Sequence, residues 1–402
     1  MNMVSIQPLA LYVHIPFCET KCPYCDFNTY AGIETLIPPY VEALSREIEI
    51  WGELLDHPAV KTVFFGGGTP SYLAGHHIGS LLNAVRAAFE VDREAEVTLE
   101  SNPGDLAEAK LVAYLDLGVN RLSIGVQSLD DRLLKVLGRR HSAAEATQAY
   151  RMATDAGFGN VSIDLMYGLP YQRIEDWRHT LDGTASLSPP HISMYCLTLE
   201  EGTPMEQSVR SRQVPESDPD LAADMYLMAQ ETMELQGYRH YEISNWARSG
   251  FESRHNLTYW RNEAYLGVGP GGHSYLRPYR FNNVKSPREY TRGLQRDYRP
   301  VNQLTGSLAA EGIKGMPAVD EVETIDQRLE MAETLMLGLR LDTGISVKDF
   351  SGRFGLSPVQ AYGETIDELG GSGLLETVDG SLRLTSRGRM LGNEVFASFF
   401  AS

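Results

Sequence analysis

The sequence has few cysteines and no long apolar run. Its 402 residues include four cysteines, and no apolar stretch approaches the ~20 residues that a membrane-spanning helix needs. Residues 1–10 have neither the basic segment nor the cleavage site of a signal peptide. Acidic side chains outnumber basic ones, 53 to 35, and the net charge of −18 argues against nonspecific nucleic-acid binding. We therefore expect a cytoplasmic protein of two or three domains.

Three of the four cysteines lie in one short stretch. Cys18, Cys22 and Cys25 have the spacing C-x3-C-x2-C. Thiolates are soft ligands that suit iron–sulfur clusters or zinc, but a structural zinc site usually takes four ligands in two separated pairs. A cubane cluster held by three cysteines leaves one iron open to a small molecule. A zinc site completed by a distant His is the alternative, and we expect Cys196 to be a buried free cysteine.

A strand-like segment precedes this cysteine motif, and a glycine run closes the next strand. Residues 9–15 are rich in apolar, β-branched and aromatic side chains, and the motif begins where they end. Gly66, Gly67 and Gly68 follow the second strand, where missing side chains let the backbone approach a ligand. In barrels of alternating strands and helices, this end of the strands carries the chemistry.

Strand-like and helical segments alternate through the first half of the chain. The strand-like segments are 9–15, 61–65, 96–101, 121–126, 161–167 and 192–197. The helical segments between them are 40–50, 78–89, 105–117, 142–156 and 174–187, with Asp105 and Ser142 as N-caps and Gly118 and Gly157 as C-caps. This alternation predicts an α/β fold with a parallel sheet, an open three-quarter (β/α)6 barrel.

The second half of the chain has a different pattern. We expect a helix over 220–235 and a loop over 305–321, while residues 237–301 show few regular periods. Short helices over 327–339, 347–354 and 358–369, a hairpin turning at Asp379-Gly380 and a last helix through Phe399 predict a small winged-helix-like domain. The predicted domains are the barrel core at 1–236, a connecting region at 237–322 and the winged-helix-like domain at 323–402.

With these motifs in this order, the chain resembles the radical S-adenosylmethionine (SAM) superfamily, and within it the oxygen-independent coproporphyrinogen III oxidase group. The resemblance covers essentially the whole chain and implies a [4Fe–4S] cluster on Cys18, Cys22 and Cys25 with SAM on the open iron. It also implies reductive cleavage of SAM to a 5′-deoxyadenosyl radical, a step whose chemistry belongs to the cofactor. The SAM contacts that it implies are Tyr12, Tyr24, Gly67, Gly68, Thr69, Glu100, Gln127, Arg139 and Asp164.

Several of these residues are unusual for their positions. Glu100 ends the third strand and Asp164 lies inside an apolar fifth strand, where a carboxylate is costly to bury unless it meets a cation or hydroxyl groups. Tyr12 has an alternative role as a core aromatic residue. Arg139, next to Arg140, has an alternative role as a surface charge.

Two departures from the oxidases argue against decarboxylation of coproporphyrinogen III. Phe27 stands where the oxidases carry a fourth cysteine, and the first cysteine is only the eighteenth residue. In contrast, the segment from His255 to Trp260 matches the H-N-x-x-Y-W motif of the heme chaperone branch. A His can ligate heme iron, and aromatic residues such as Tyr259 and Trp260 can pack on a porphyrin.

The resemblance therefore implies a heme chaperone that passes heme to an acceptor hemoprotein. His255 has a structural role as its alternative, and His273 is a second, weaker candidate heme ligand. The alternative function is the oxidase activity itself, and RNA modification is a third class that the acidic balance disfavours. We also expect transient contact with membrane-bound acceptors and a homodimer.

Overall fold

The structure is a computed structural model that describes residues 8–296 and 309–400. These residues form two compact units. Unit 1 lies within Met1–Thr232 and Ala264–Glu323, and unit 2 lies within Met233–Glu263 and Thr324–Ser402. The residues that we assigned to a connecting region, 237–322, are divided between the two units.

The elements are numbered along the described chain. The strands are β1 Leu9–Ile15, β2 Ala59–Gly67, β3 Glu90–Ser101, β4 Arg121–Gln127, β5 Val161–Tyr167, β6 His191–Cys196, β7 Arg239–Glu242, β8 Asn245–Ala247, β9 Tyr265–Val268, β10 His273–Leu276, β11 Tyr279–Asn283, β12 Val319–Thr324, β13 Ile345–Ser346, β14 Leu375–Val378 and β15 Ser381–Leu384. The α-helices are α1 Ile37–Leu54, α2 Gly75–Ala88, α3 Glu108–Asp116, α4 Asp131–Val136, α5 Ala143–Ala156, α6 Ile174–Leu187, α7 Pro204–Arg210, α8 Pro219–Leu235, α9 Arg254–Trp260, α10 Pro287–Leu294, α11 Ala309–Lys314, α12 Gln327–Gly338, α13 Val347–Phe354, α14 Pro358–Gly371, α15 Ser386–Met390 and α16 Gly392–Ser398.

Unit 1 is built on one sheet with the strand order β12-β11-β10-β9-β1-β2-β3-β4-β5-β6. Strands β1 to β6 pair in parallel, and β9 adds a further parallel strand beside β1. Helices lie between successive strands, which confirms the predicted α/β fold. Because parallel strands end at the same edge, the segments after β1 to β5 meet there.

Strands β1 and β5 are mostly apolar because both faces of the sheet are covered. In β1 only Tyr12 is partly exposed, and the other residues of the strand are buried. Such strands read as continuous apolar runs rather than as alternating patterns. This explains why β1 and β5 begin and end where the sequence predicts.

Unit 2 contains the antiparallel pair β7 and β8 and a three-stranded sheet in the order β13-β15-β14. Its core is formed by helices and strands that share buried side chains such as Leu335, Phe350 and Val395. The turn between β14 and β15 has both Asp379 and Gly380 at positive φ, 49° and 78°, as a type I′ hairpin turn requires. The predicted helices and hairpin of this region are therefore confirmed.

Three local predictions are wrong. The described part of 305–321 is not a loop but contains α11 and the start of β12. The described part of 237–301, where the sequence has few regular periods, contains five short strands and two helices. Residues 297–308 lie outside the described residues. Asp105 is not an N-cap, since it ends a 3-10 turn and Ala107 occupies the cap position of α3. Cys196 is exposed rather than buried, because it ends β6 at the carboxyl edge of the sheet.

Over residues 8–296 and 309–400, none of the helices has both the length and the apolar character needed to cross a bilayer.

Candidate functional site

The cysteine motif forms a loop that folds back on itself directly after β1. The backbone N–H of Cys18 donates to the carbonyl of Tyr30 at 3.0 Å, and that of Cys25 donates to the carbonyl of Cys22 at 3.1 Å. The ammonium of Lys21 donates to the carbonyl of Phe27 at 3.0 Å. These bonds fix the loop, so all three thiols lie at the carboxyl edge of the sheet.

Polar groups contact two of the three thiols. The Sγ atom of Cys18 lies 3.1 Å from the hydroxyl of Thr29 and 3.3 Å from that of Thr69. The Sγ atom of Cys22 accepts a hydrogen bond from Nη1 of Arg139 at 3.4 Å. Hydrogen bonds from hydroxyl groups and a guanidinium stabilise the thiolate form, which is the form that binds metal.

The donor set fits an iron–sulfur cluster better than a single metal ion. Burial raises the pKa of Cys25 to about 11, so its thiolate needs a metal to form at neutral pH. Within the described residues, no group of three or more His, Cys, Asp or Glu side chains is arranged to hold one metal ion. A cubane binds each thiolate to a different iron, so its ligands do not need to converge on one point.

The glycine run after β2 packs against the backbone of the cysteine loop. Gly68 N–H donates to the carbonyl of Ile15 at 2.7 Å, and Thr69 N–H donates to the carbonyl of Phe17 at 2.9 Å. Gly67 has φ at +109°, a conformation that L side chains rarely adopt. The run thus brings Thr69 to Cys18 and leaves backbone, rather than side chains, at this edge.

Glu100 lies beside the glycine run and is partly buried, with few compensating charges. Its Oε2 atom accepts a hydrogen bond from the N–H of Gly67 at 3.2 Å. Burial, together with the nearby carboxyl group of Asp164, raises the pKa of Glu100 to about 7. The hydroxyl of Tyr12 lies 3.1 Å from Nδ1 of His14 on the same strand, and burial raises the pKa of Tyr12.

Asp164 is held by hydroxyl groups of its own strand, β5, and of the neighbouring strand β4. Ser123 donates to its Oδ2 atom at 2.7 Å, and Ser162 donates to its Oδ1 atom at 3.0 Å. Burial raises its pKa, while the hydroxyl groups favour the ionised form. Both oxygens are therefore fixed in direction before any ligand arrives.

Arg139 contacts both the cysteine loop and strand β4. Its Nη2 atom donates to the carbonyl of Gly125 at 2.8 Å, while Nη1 reaches Cys22. Its Nε atom is buried and has no hydrogen-bond partner in the structure. Gln127, the last residue of β4, has φ at +67°, a strained value for a residue other than glycine. Tyr24 contacts this group too, since its hydroxyl interacts with Cys22 and Arg139.

Unit 1 thus brings together all twelve residues that the sequence predicts for the cluster and for SAM. They are Tyr12, Cys18, Cys22, Tyr24, Cys25, Gly67, Gly68, Thr69, Glu100, Gln127, Arg139 and Asp164. Thr29, Ser123 and Ser162 were missed. Ser162 and Asp164 lie two residues apart on one strand and so share a face, a signal that could have identified Ser162.

The four defined residues of the H-N-x-x-Y-W motif lie on α9 in unit 2. This helix is capped by Ser253, whose hydroxyl accepts from the N–H of Asn256 at 3.3 Å. His255 is buried, and its Nε2 atom lies 2.8 Å from the hydroxyl of Tyr259 one turn later. Trp260 instead stacks with the guanidinium of Arg340, whose Cζ atom is 4.6 Å from the ring centroid. His273 lies in unit 1, at the start of β10, and is exposed.

The raised pKa of Glu100 predicts that SAM affinity depends on pH. Below about pH 7 the carboxyl group is protonated and is a poorer acceptor for SAM hydroxyl or ammonium groups. Anaerobic calorimetry should therefore show affinity rising as pH increases from 6 to 8, by up to about tenfold per unit below the pKa. Glu100→Gln should bind SAM weakly with a flatter profile. Identical profiles for the two proteins would rule out this role.

Known proteins support the same assignment. One family model, the radical SAM superfamily, matches residues 12–182, and another, the HemN C-terminal domain, matches residues 325–391. In solved structures, coproporphyrinogen III oxidase (HemN) from Escherichia coli shares the fold with a TM-score of 0.82 at 22% identity, covering 98% of this chain and 91% of that one. The fold and the three-cysteine site thus define a radical SAM protein, which carries a [4Fe–4S] cluster and SAM.

Two bacterial relatives give the closer assignment. The heme chaperone HemW of Bacillus subtilis is 36% identical, over 96% of this chain and 98% of its own length. The heme chaperone HemW of Lactococcus lactis is 34% identical, over 98% of this chain and 97% of its own length. The chain belongs to the HemW family. A mitochondrial radical S-adenosyl methionine domain-containing protein 1 from Bos taurus is 40% identical, over 85% of this chain and 75% of its own.

Proposed function

We propose that this protein is a heme chaperone, which binds heme as its cargo and passes it to acceptor hemoproteins. The observation that carries the proposal is the similarity to HemW proteins across nearly the whole chain, in both units. The H-N-x-x-Y-W motif on α9 lies within that similarity. The protein would work in the reducing cytoplasm, since its cluster requires free thiolates. Dimerisation and transient contact with membrane-bound acceptors belong to the same proposal.

In this proposal Cys18, Cys22 and Cys25 hold three irons of the [4Fe–4S] cluster. When bound, the cluster and SAM supply one-electron chemistry at the open iron. The hydroxyl groups of Thr29 and Thr69 stabilise the Cys18 thiolate through the contacts that they already make with it.

The SAM site uses the backbone and the charged groups around the glycine run. A zwitterionic amino acid needs acceptors for its ammonium and donors for its carboxylate. The partly buried carboxyl groups of Glu100 and Asp164 can act as acceptors, and the unpartnered Nε of Arg139 can act as a donor. Tyr12, Tyr24, Gly67, Gly68, Thr69 and Gln127 complete the set of proposed contacts.

His255 is the proposed heme ligand, and its hydrogen bond to Tyr259 gives the role a specific test. Nε2 must leave the Tyr259 hydroxyl to reach iron. His255→Ala should lower heme stoichiometry and shift the Soret band. The matched variant Tyr259→Phe removes this hydrogen bond without removing the ring, so it should bind heme at least as well as the wild type. An unchanged Soret spectrum in His255→Ala would exclude ligation by this residue.

The chaperone function itself is tested by transfer. Heme-loaded protein mixed with an apo-hemoprotein should convert it to the holo form, as followed by the acceptor's Soret band. A bound heme that never reaches the acceptor would contradict the proposal.

The second candidate function is the oxidative decarboxylation of coproporphyrinogen III. The observation that favours it is the complete set of SAM-site residues at the carboxyl edge of the sheet. Phe27 argues against it, because this residue stands at the position of the oxidases' fourth cysteine and is 64% exposed beside the cluster loop.

A further inference from the structure

A cavity of about 530 Å³ lies within unit 2, where the ends of three helices meet. Its lining residues come from α9, α12 and α16 and from the positions just after α12 and α16: Trp260, Met336, Leu337, Arg340, Asn393, Phe396, Ala397 and Phe400. The volume is within the range of pockets that hold small molecules, and the walls are mostly aromatic and aliphatic. Such walls suit a large apolar molecule.

Arg340 is the one charged residue among those that line the cavity. Its guanidinium packs between two aromatic rings, with Cζ 4.6 Å from the centroid of Trp260 and 5.8 Å from that of Phe396. Glu242 is the acidic group that acts on it electrostatically, but the carboxylate of Glu242 accepts from Asn245 and from the N–H of Ser244. Within the described chain, no ion pair neutralises Arg340.

Two hydrogen-bond donors at the cavity are buried and have no partner in the described structure, the indole Nε1 of Trp260 and the Nε of Arg340. Buried donors are almost always satisfied, so an unsatisfied adjacent pair calls for an explanation. A ligand carboxylate at the apolar walls would satisfy both donors and neutralise the guanidinium. The cavity thus matches an apolar molecule that carries a carboxylate.

We infer that this cavity binds the tetrapyrrole cargo, with a propionate-type carboxylate on Arg340 and the macrocycle against the walls that Trp260 and Phe396 provide. This inference rests on the proposed function and adds a location and an anchoring residue to it. It also assigns different positions to two residues of the motif on α9. Trp260 lines the cavity, while His255 does not line it in the present conformation.

The test is a titration of the full-length protein with heme, followed by absorbance. Arg340→Met should raise Kd by about 10- to 100-fold, the range for a hydrogen bond to a charged group, and Arg340→Lys should be intermediate. Arg239→Met is the matched control, because Arg239 is an exposed arginine of unit 2 outside the cavity. It should bind as the wild type does.

Carboxylate recognition is tested with protoporphyrin IX and its dimethyl ester. The wild type should prefer the acid, and Arg340→Met should bind both equally.

Where loss of Arg340 impairs folding, Ala397→Trp supplies an independent test, since Ala397 is exposed and its replacement fills the cavity with Arg340 intact. This variant should lose binding, while Glu394→Trp, at an exposed position of α16 outside the lining, should retain it.

If the wild type binds heme and both Arg340→Met and Ala397→Trp bind it equally well, the inference about the cavity is wrong, while the proposed function still stands. A wild-type chain that binds no tetrapyrrole would overturn the proposed function as well.

Discussion

Replacing Cys18, Cys22 or Cys25 by alanine is expected to abolish the reconstituted cluster. Each thiolate binds a different iron, so no remaining side chain of the loop replaces a lost one. The hydrogen bonds that Cys18 receives from Thr29 and Thr69, and Cys22 from Arg139, are aimed at sulfur and would be left unused. We expect iron to fall from about four atoms per chain to near zero, together with loss of 5′-deoxyadenosine formation.

Cys196→Ala is the matched control for these variants. Cys196 is the one cysteine outside the motif, is exposed and ends β6. Its replacement should leave iron, sulfide and the electron paramagnetic resonance spectrum of the reduced cluster unchanged. Iron near the wild-type content in Cys22→Ala would show that the ligand assignment is wrong.

Gly68→Ala is expected to be the most damaging change outside the cysteines. A Cβ at Gly68 would lie 2.7 Å from the carbonyl oxygen of Phe17 and 2.8 Å from that of Ile15. Both are backbone atoms that already accept hydrogen bonds from this loop, so they cannot move aside without breaking it. We expect a loss of about 1–3 kcal/mol in the free energy of unfolding, as for overpacking of a tight site, and at least tenfold weaker SAM binding.

The control for this substitution is Gly75→Ala. Gly75 opens α2, and a Cβ there would meet its nearest atom, the Cβ of Ala113, at an ordinary 3.8 Å. Since alanine favours helix over glycine, this variant should be at least as stable as the wild type. Urea unfolding and anaerobic SAM titration measure both effects. Wild-type stability and SAM affinity in Gly68→Ala would contradict the close approach of the two loops.

The parts of the fold that could be predicted are those with a strong local signal. Strands β1 and β5 carry apolar side chains on both faces, and the Asp379-Gly380 turn has the residues that its φ angles require. Strand β3 begins at Glu90, earlier than the predicted start at 96. The sequence pattern did not reveal the first residues of this strand, because they are polar and mostly exposed. The strands β7 to β11 are three to five residues long, too short to show a period.

In the candidate site, too, some residues could be predicted from the sequence and others could not. Motif spacing predicted the cysteines as ligands, and the resemblance to the radical SAM superfamily implied the SAM contacts, most of which lie at or near the ends of consecutive strands. The partners of these residues depend on contacts distant in sequence, such as Thr29 beside Cys18 and Ser123 beside Asp164. The exposure of Cys196 also depends on tertiary structure. The pairing of His255 with Tyr259 is a one-turn contact that required recognition of α9 as a helix.

The measurement that tests the central claim most directly is an anaerobic assay of the reconstituted protein with SAM, dithionite and coproporphyrinogen III. A coproporphyrinogen III oxidase serves as the positive control, and mass spectrometry follows the tetrapyrrole. With the cluster intact and heme bound, the account predicts no decarboxylated product. Successive loss of two carboxyl groups would contradict it and would make the protein an oxidase in spite of Phe27.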